Sequence, residues 1–163
     1  MNRPALIALA ALALTGCGQG PAEKTGAPAA PAAPAPTAAE KAALLAALPA
    51  PYSAADLENG RRAFARCRSC HTITDGGSNM TGPNLYGVFG RQVGVQPGFN
   101  YSTAMKEADF VWDGPRLDDW LKNPRTFLKG TKMSFAGIPD PSDRRDVIAF
   151  LKVETGYTPP PQP

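Results

Sequence analysis

Cys67-Arg68-Ser69-Cys70-His71 is the stretch on which the reading of this chain turns. Its pattern, C-x-x-C-H, is the attachment signature of a c-type haem. Two thiols three positions apart each form a thioether with a haem vinyl group, and the adjacent imidazole reaches the iron from one face. Other chemistries use similar residues. A zinc ribbon needs a second ligand pair, and the only other cysteine, Cys17, lies far upstream. A redox C-x-x-C follows a strand in a βαβ unit, and no such pattern surrounds this one. A chance match in an exported chain is the remaining alternative.

Composition narrows the field. The chain has 163 residues and a formal net charge of +3. That balance, with no basic run interleaved with aromatics, argues against nucleic-acid binding. The first fifty or so residues are mostly Ala, Pro and Gly, leaving one domain of roughly 100 residues, near the common domain size. Three cysteines is an odd number for an exported protein. It resolves if Cys67 and Cys70 carry haem and Cys17 carries lipid, with no disulfide.

The N-terminus reads as an export signal. Asn2-Arg3 is a short charged region and Ala5 to Leu14 an apolar one, too short to span a bilayer as a helix. Leu14-Thr15-Gly16-Cys17 resembles the bacterial lipoprotein signal, which is cleaved before the cysteine and acylated on it. Residues 1–16 are then signal peptide, and 17–52 a lipid-anchored, Ala/Pro-rich tether that favours extended polyproline II. Within it, Thr37-Ala38-Ala39-Glu40 has the form of a capping box ahead of the helix formers Lys41 to Leu48. That helix is either a solvated spacer or a contact with the domain or a partner. The domain spans 53–157, and 158–163 is a Pro-rich tail.

The domain reads as helices joined by long loops. Ser53-Ala54-Ala55-Asp56 opens a helix whose apolar face carries Leu57, Gly60, Phe64 and Cys67. Glycine at 60 allows another helix to approach closely. Thr72 to Gly90 is rich in Gly and Pro and reads as loop. Ser102 caps a short helix to Ala108. Asp113-Gly114-Pro115 begins another, with Leu117, Trp120 and Leu121 inward and Asn123-Pro124 as its stop. Asp140-Pro141 starts the last helix, with Val147, Ile148, Phe150 and Leu151 on its apolar side and Gly156 as its end. No segment alternates like a strand. The expected class is all-α, with few helices and long loops wrapped around one covalent haem.

His71 is the sole histidine. A second histidine ligand from the same chain is therefore excluded, and the sixth ligand is Met, Lys, water or nothing. Met80 is close to His71 in sequence and poorly placed to reach the other haem face. Met105 falls in a helix, where core packing is the plain reading. Met133 sits in Gly130-Thr131-Lys132-Met133-Ser134-Phe135, a loop able to fold over an open face. A thioether is a soft neutral ligand that favours Fe(II) and leaves no open site.

With these motifs in order, residues 54–157 resemble the class I cytochromes c of the mitochondrial and bacterial c2 types. The resemblance runs through Gly60, Phe64, the C-x-x-C-H motif, Thr81-Gly82-Pro83-Asn84-Leu85, Gly90-Arg91, Pro97-Gly98-Phe99-Asn100-Tyr101-Ser102, Trp112, Asn123-Pro124 and Gly130-Thr131-Lys132-Met133. It implies one haem c ligated by His71 and Met133. It implies that the Pro83 carbonyl accepts from the His71 ring, and that Arg91, Tyr101, Ser102, Trp112 and Thr131 hold the buried propionates. Three positions depart from the family: Trp120 stands for the usual Tyr, Met105 for Asn, and Lys129 for Pro. The implied function is a membrane-tethered, monomeric electron carrier on the periplasmic side of a bacterial inner membrane. It would run between a bc1-type complex and a haem-copper oxidase. An electron acceptor for a periplasmic dehydrogenase is the alternative, and a haem enzyme or gas-binding protein with a labile sixth ligand stands further off.

Overall fold

The computed structural model describes residues 36–159, all within one compact unit. The export signal, Cys17, the first part of the Ala/Pro-rich stretch and residues 160–163 lie outside the described residues.

The described residues form helices α1 (Ala38–Ala46), α2 (Leu57–Phe64), α3 (Thr103–Glu107), α4 (Gly114–Lys122), α5 (Pro124–Phe127) and α6 (Pro141–Glu154), with one 3-10 turn at Tyr52–Ala54. Their only extended pairing is a single bridge between Gln92 and Val111. Every helix begins where a short polar side chain accepts a free backbone N–H: Thr37, Asp56, Ser102, Asp113, Asn123 and Asp140, in chain order. Each such cap contributes about 1 kcal/mol. Two boundaries differ from the sequence reading. The first domain helix starts at Leu57 rather than in Ser53–Asp56, because the Asp56 carboxylate accepts from Glu58 N and Asn59 N. Asn123-Pro124 ends α4 and also starts α5, because the Asn123 side chain accepts from Thr126 N at 3.1 Å.

The core is a crossing of α2 over α6. Gly60 sits at the crossing, where a Cβ would lie 2.2 Å from the Asp146 carbonyl oxygen. Phe64 and Phe150 meet beside it with ring centroids 5.5 Å apart. Asn59 donates from one amide to both Asp143 (2.8 Å) and Asp146 (2.9 Å), and Asp56 N donates to Asp146 (3.2 Å). Leu117, Trp120 and Leu121 of α4 and Val147, Ile148 and Leu151 of α6 are buried, as the apolar pattern predicts.

A pair that no periodicity shows fixes the lower end of α6. Arg144 is 6 % exposed. Its guanidinium donates to Asp118 at 2.8 and 3.2 Å and to the carbonyls of Ile138 and Pro139, both at 2.9 Å. That ties α4, α6 and the end of the 128–139 loop together.

The helix-free stretch 72–90 has its own scaffold. Asn84 is buried and donates to Thr72 Oγ1 (2.7 Å), Thr74 O (2.9 Å) and Gly77 O (3.0 Å). Its oxygen accepts from Tyr86 N at 2.6 Å, and its own N–H donates to Asn79, which reaches on to Pro97 O. Backbone polar groups in a loop need partners as helical ones do, and one asparagine supplies several.

Candidate functional site

Beyond α2 the chain tightens into successive turns: Cys67 N donates to Phe64 O (2.8 Å), Cys70 N to Cys67 O (3.0 Å) and His71 N to Cys67 O (2.9 Å). These turns bring Cys67, Cys70 and His71 onto the wall of one cavity of about 300 Å³. Phe64, Leu85, Val88, Leu117, Val147 and Leu151 supply much of its apolar wall.

The imidazole is set as a ligand. His71 Nδ1 lies 2.7 Å from the Pro83 carbonyl oxygen. A carbonyl only accepts, so Nδ1 carries the proton and Nε2 keeps its lone pair. Burial pushes the ring below its usual pKa, against a smaller opposing pull from the Pro83 bond, so it stays neutral. Gly82 leaves room for this arrangement: a Cβ there would come 2.3 Å from His71 Cε1.

Cys67 does not have the setting of a reactive thiolate. Burial pushes Cys67 up to about 11, only partly offset by Arg66, so it is a protonated thiol at neutral pH. Reactive C-x-x-C thiols are shifted the other way. Among the described residues no three His, Cys, Asp or Glu side chains converge as a metal site. Two free thiols, a neutral imidazole and an apolar cavity fit a covalently attached haem. Cys67 and Cys70 would supply the two thioether sulfurs.

The other residues singled out in the sequence lie around the same cavity: Pro83, Arg91, Tyr101, Ser102, Trp112, Thr131 and Met133 all line it. Arg91 is half-buried and has no carboxylate partner among the described residues. It donates to Tyr86 O (3.2 Å), Asn84 O (3.0 Å) and the Gln96 side chain, and burial lowers its pKa. A guanidinium held this way suits a buried anion. Burial pushes the Tyr101 phenol up, with smaller opposing effects from Gln96 and Arg91, so it is a neutral donor. Ser102 is already used as the α3 cap, accepting from Met105 N, which leaves its hydroxyl hydrogen free to donate. Thr131 Oγ1 accepts from Met133 N at 3.2 Å and so shapes the methionine loop itself. Of the three methionines weighed, Met80 is 48 % exposed, and Met105 and Met133 both face the cavity.

The comparisons with known proteins agree on one family. The family model described as "Cytochrome c" matches residues 57–153. The chain belongs to the cytochrome c family. It is 39 % identical over 105 residues to cytochrome c of Kluyveromyces lactis, covering 64 % of this chain and 96 % of that one. It is 43 % identical over 105 residues to cytochrome c2 of Rhodomicrobium vannielii, covering 64 % of this chain and 84 % of that one. Its fold matches the solved structure of cytochrome cH from Methylobacterium extorquens, with TM-score 0.56 and 41 % identity over 60 % of this chain and 97 % of that one. This cytochrome c therefore has the class I fold and carries one covalent haem c with His/Met-ligated iron. When bound, that group supplies a one-electron iron couple, and the protein is an electron carrier, not an enzyme.

Sequence reasoning passed over several residues that the site uses. Gln96 holds Arg91 in place. Arg144 anchors the Ile138-Pro139 end of the methionine loop. Lys132 donates to Asn100 O (3.0 Å) and Tyr101 O (3.4 Å), clipping the loop to the neighbouring segment. Pairings of this kind have no period in the chain.

Proposed function

We propose that this cytochrome c is a lipid-tethered, monomeric respiratory shuttle on the periplasmic side of the inner membrane. It accepts one electron at a time from a bc1-type complex and delivers it to a haem-copper oxidase. Cys67 and Cys70 attach the haem, and His71 and Met133 ligate its iron. Arg91, Tyr101, Ser102, Trp112 and Thr131 serve the propionates. The observation that carries the reading is the pinned Met133 loop. It lines the cavity that His71 faces, and Thr131, Lys132 and Arg144 hold it. A loop fixed at several points favours a closed, six-coordinate site with little reorganisation on electron exchange.

The charges around the cavity support docking to acidic partners. Arg66 and Lys132 line it, and Arg66, Arg68, Lys122, Arg125 and Lys129 make no ion pair among the described residues. Such a surface speeds encounter and keeps complexes short-lived. The sequence at Leu14-Thr15-Gly16-Cys17 supports the lipid anchor, which would raise the local concentration near membrane partners. No helix among the described residues is long and apolar enough to cross a membrane.

The test is stopped-flow oxidation and reduction with isolated bc1-type complex and haem-copper oxidase across a salt series, with mass spectrometry of the Cys17 peptide. Fast exchange with both, falling steeply with salt, and an acylated Cys17 are expected. Exchange with a dehydrogenase alone would move the protein to the alternative role. An unmodified Cys17 would remove the tether.

A further inference from the structure

Residues 36–52 lie in the stretch whose composition reads as tether, yet they pack like part of the domain that follows. Leu48 is 4 % exposed, Tyr52 8 % and Ala55 9 %, and Leu44 and Leu45 lie against the same core. Lys41 pairs with Glu154 at the end of α6 at 2.6 Å. The Tyr52 ring fills the space over Gly114, where a Cβ would lie 2.3 Å from the tyrosine hydroxyl. It also forms one wall of an aromatic cage around Lys152. The Lys152 ammonium lies 3.5 Å from the Tyr157 ring centre, 4.2 Å from Phe89 and 5.5 Å from Tyr52. Lys152 is 5 % exposed, and its ammonium makes no ion pair or hydrogen bond among the described residues, so these rings are its contacts there. Burial pushes it down to about 8, with a smaller opposing pull from the Asp113 charge, and the negative ring faces suit an ammonium.

The geometry of α6 separates this packing from the haem site. Val147 and Leu151, one turn apart, face the cavity, whereas Lys152 and Glu154 meet the N-terminal segment and its neighbours. Among the described residues, the first to line the cavity is Phe64.

We infer that residues 38–55 form a strap clasped onto α6, which fixes the point where the chain enters the head on the Lys152 and Glu154 side of that helix, apart from Val147 and Leu151 on the cavity side. The clasp is the Tyr52 ring held between Gly114 and the Lys152 cage, with Leu48 buried beside it. The strap itself needs no lipid; its role in orienting the head on a membrane rests on the tethered reading above.

Hydrogen exchange followed by mass spectrometry on the haem-loaded full chain tests it. A nine-residue helix on its own is marginal in water, so lasting protection of the 41–48 amides is a direct sign of docking. Protection of at least about tenfold over free-peptide rates is expected for the wild type, falling to within about twofold in Tyr52→Ala. The visible spectrum should be unchanged in the variant. Leu48→Ala provides a second, milder release. Free-peptide exchange of 41–48 in the wild type would overturn the inference, as would undiminished protection in both variants. An unacylated Cys17 would remove the tether and leave the strap standing.

Discussion

The crossing of α2 over α6 depends on the absence of one methyl group, and Gly60→Ala tests it. The added Cβ would sit 2.2 Å from Asp146 O, 2.7 Å from Asp146 C and 2.8 Å from Phe150 Cβ. An ordinary contact needs about 3.5 Å, so the helices must part by about 1 Å. No side-chain rotation relieves this, because the nearest obstacle is the backbone of α6. Parting the helices loosens the Phe64–Phe150 contact and stretches the bonds from Asn59 and Asp56 to Asp146. Alanine regains about 1 kcal/mol of helix propensity, but overpacking of this kind costs 1–3 kcal/mol and more where nothing can yield. We expect a net loss of about 2–3 kcal/mol. For a domain of this size that lowers the melting temperature by roughly 10–20 °C. The assay is thermal unfolding of the haem-loaded protein by far-UV circular dichroism. Gly87→Ala is the control: its φ is 64° and nothing lies within 4 Å of the new Cβ, so only about 1 kcal/mol of backbone strain is expected. Gly60→Ala melting at or above the Gly87→Ala temperature would refute the reasoning.

Arg144→Met should cost about 3 kcal/mol, because it strands Asp118 and leaves the Ile138 and Pro139 carbonyls without their donor; denaturant titration measures it. Met105→Asn places a polar group on the cavity wall, which favours the more highly charged ferric state. The potential should fall by roughly 20–60 mV, given 59 mV per tenfold in a one-electron equilibrium, as read by spectroelectrochemical titration. At alkaline pH a lysine should displace Met133. Lys132 is held by two carbonyls, so Lys129→Ala should raise the pH of that transition more than Lys132→Ala does. An unchanged transition in the double variant would dismiss both lysines.

What could be read from the chain alone was what is local. The caps at Thr37, Asp56, Ser102, Asp113 and Asp140 lie within three residues of the groups they satisfy. The C-x-x-C-H turn is complete in five residues, and the α6 apolar face repeats at helical spacing. The single-turn helix α5 was missed because four residues carry no period. Pro83 as the partner of His71, and the residues around Arg91, came from family resemblance, since nothing in their spacing announces them. Arg144 with Asp118, and Lys152 with Phe89 and Tyr52, join distant segments, and Gln96 with Arg91 closes a turn with no regular period. Only the folded chain brings them together. The helix Ala38–Ala46 shows both cases: its capping box is legible, and its docking on α6 is not.

The central claim is a closed site in which Met133 shares the iron with His71. The most direct measurement is the absorption spectrum of the purified oxidised protein, followed by that of the reduced protein under carbon monoxide. The account predicts a low-spin spectrum with a weak far-red sulfur-to-iron band, lost in Met133→Ala, and no carbon monoxide shift. A high-spin spectrum, or a clear carbon monoxide adduct in the wild type, would contradict it.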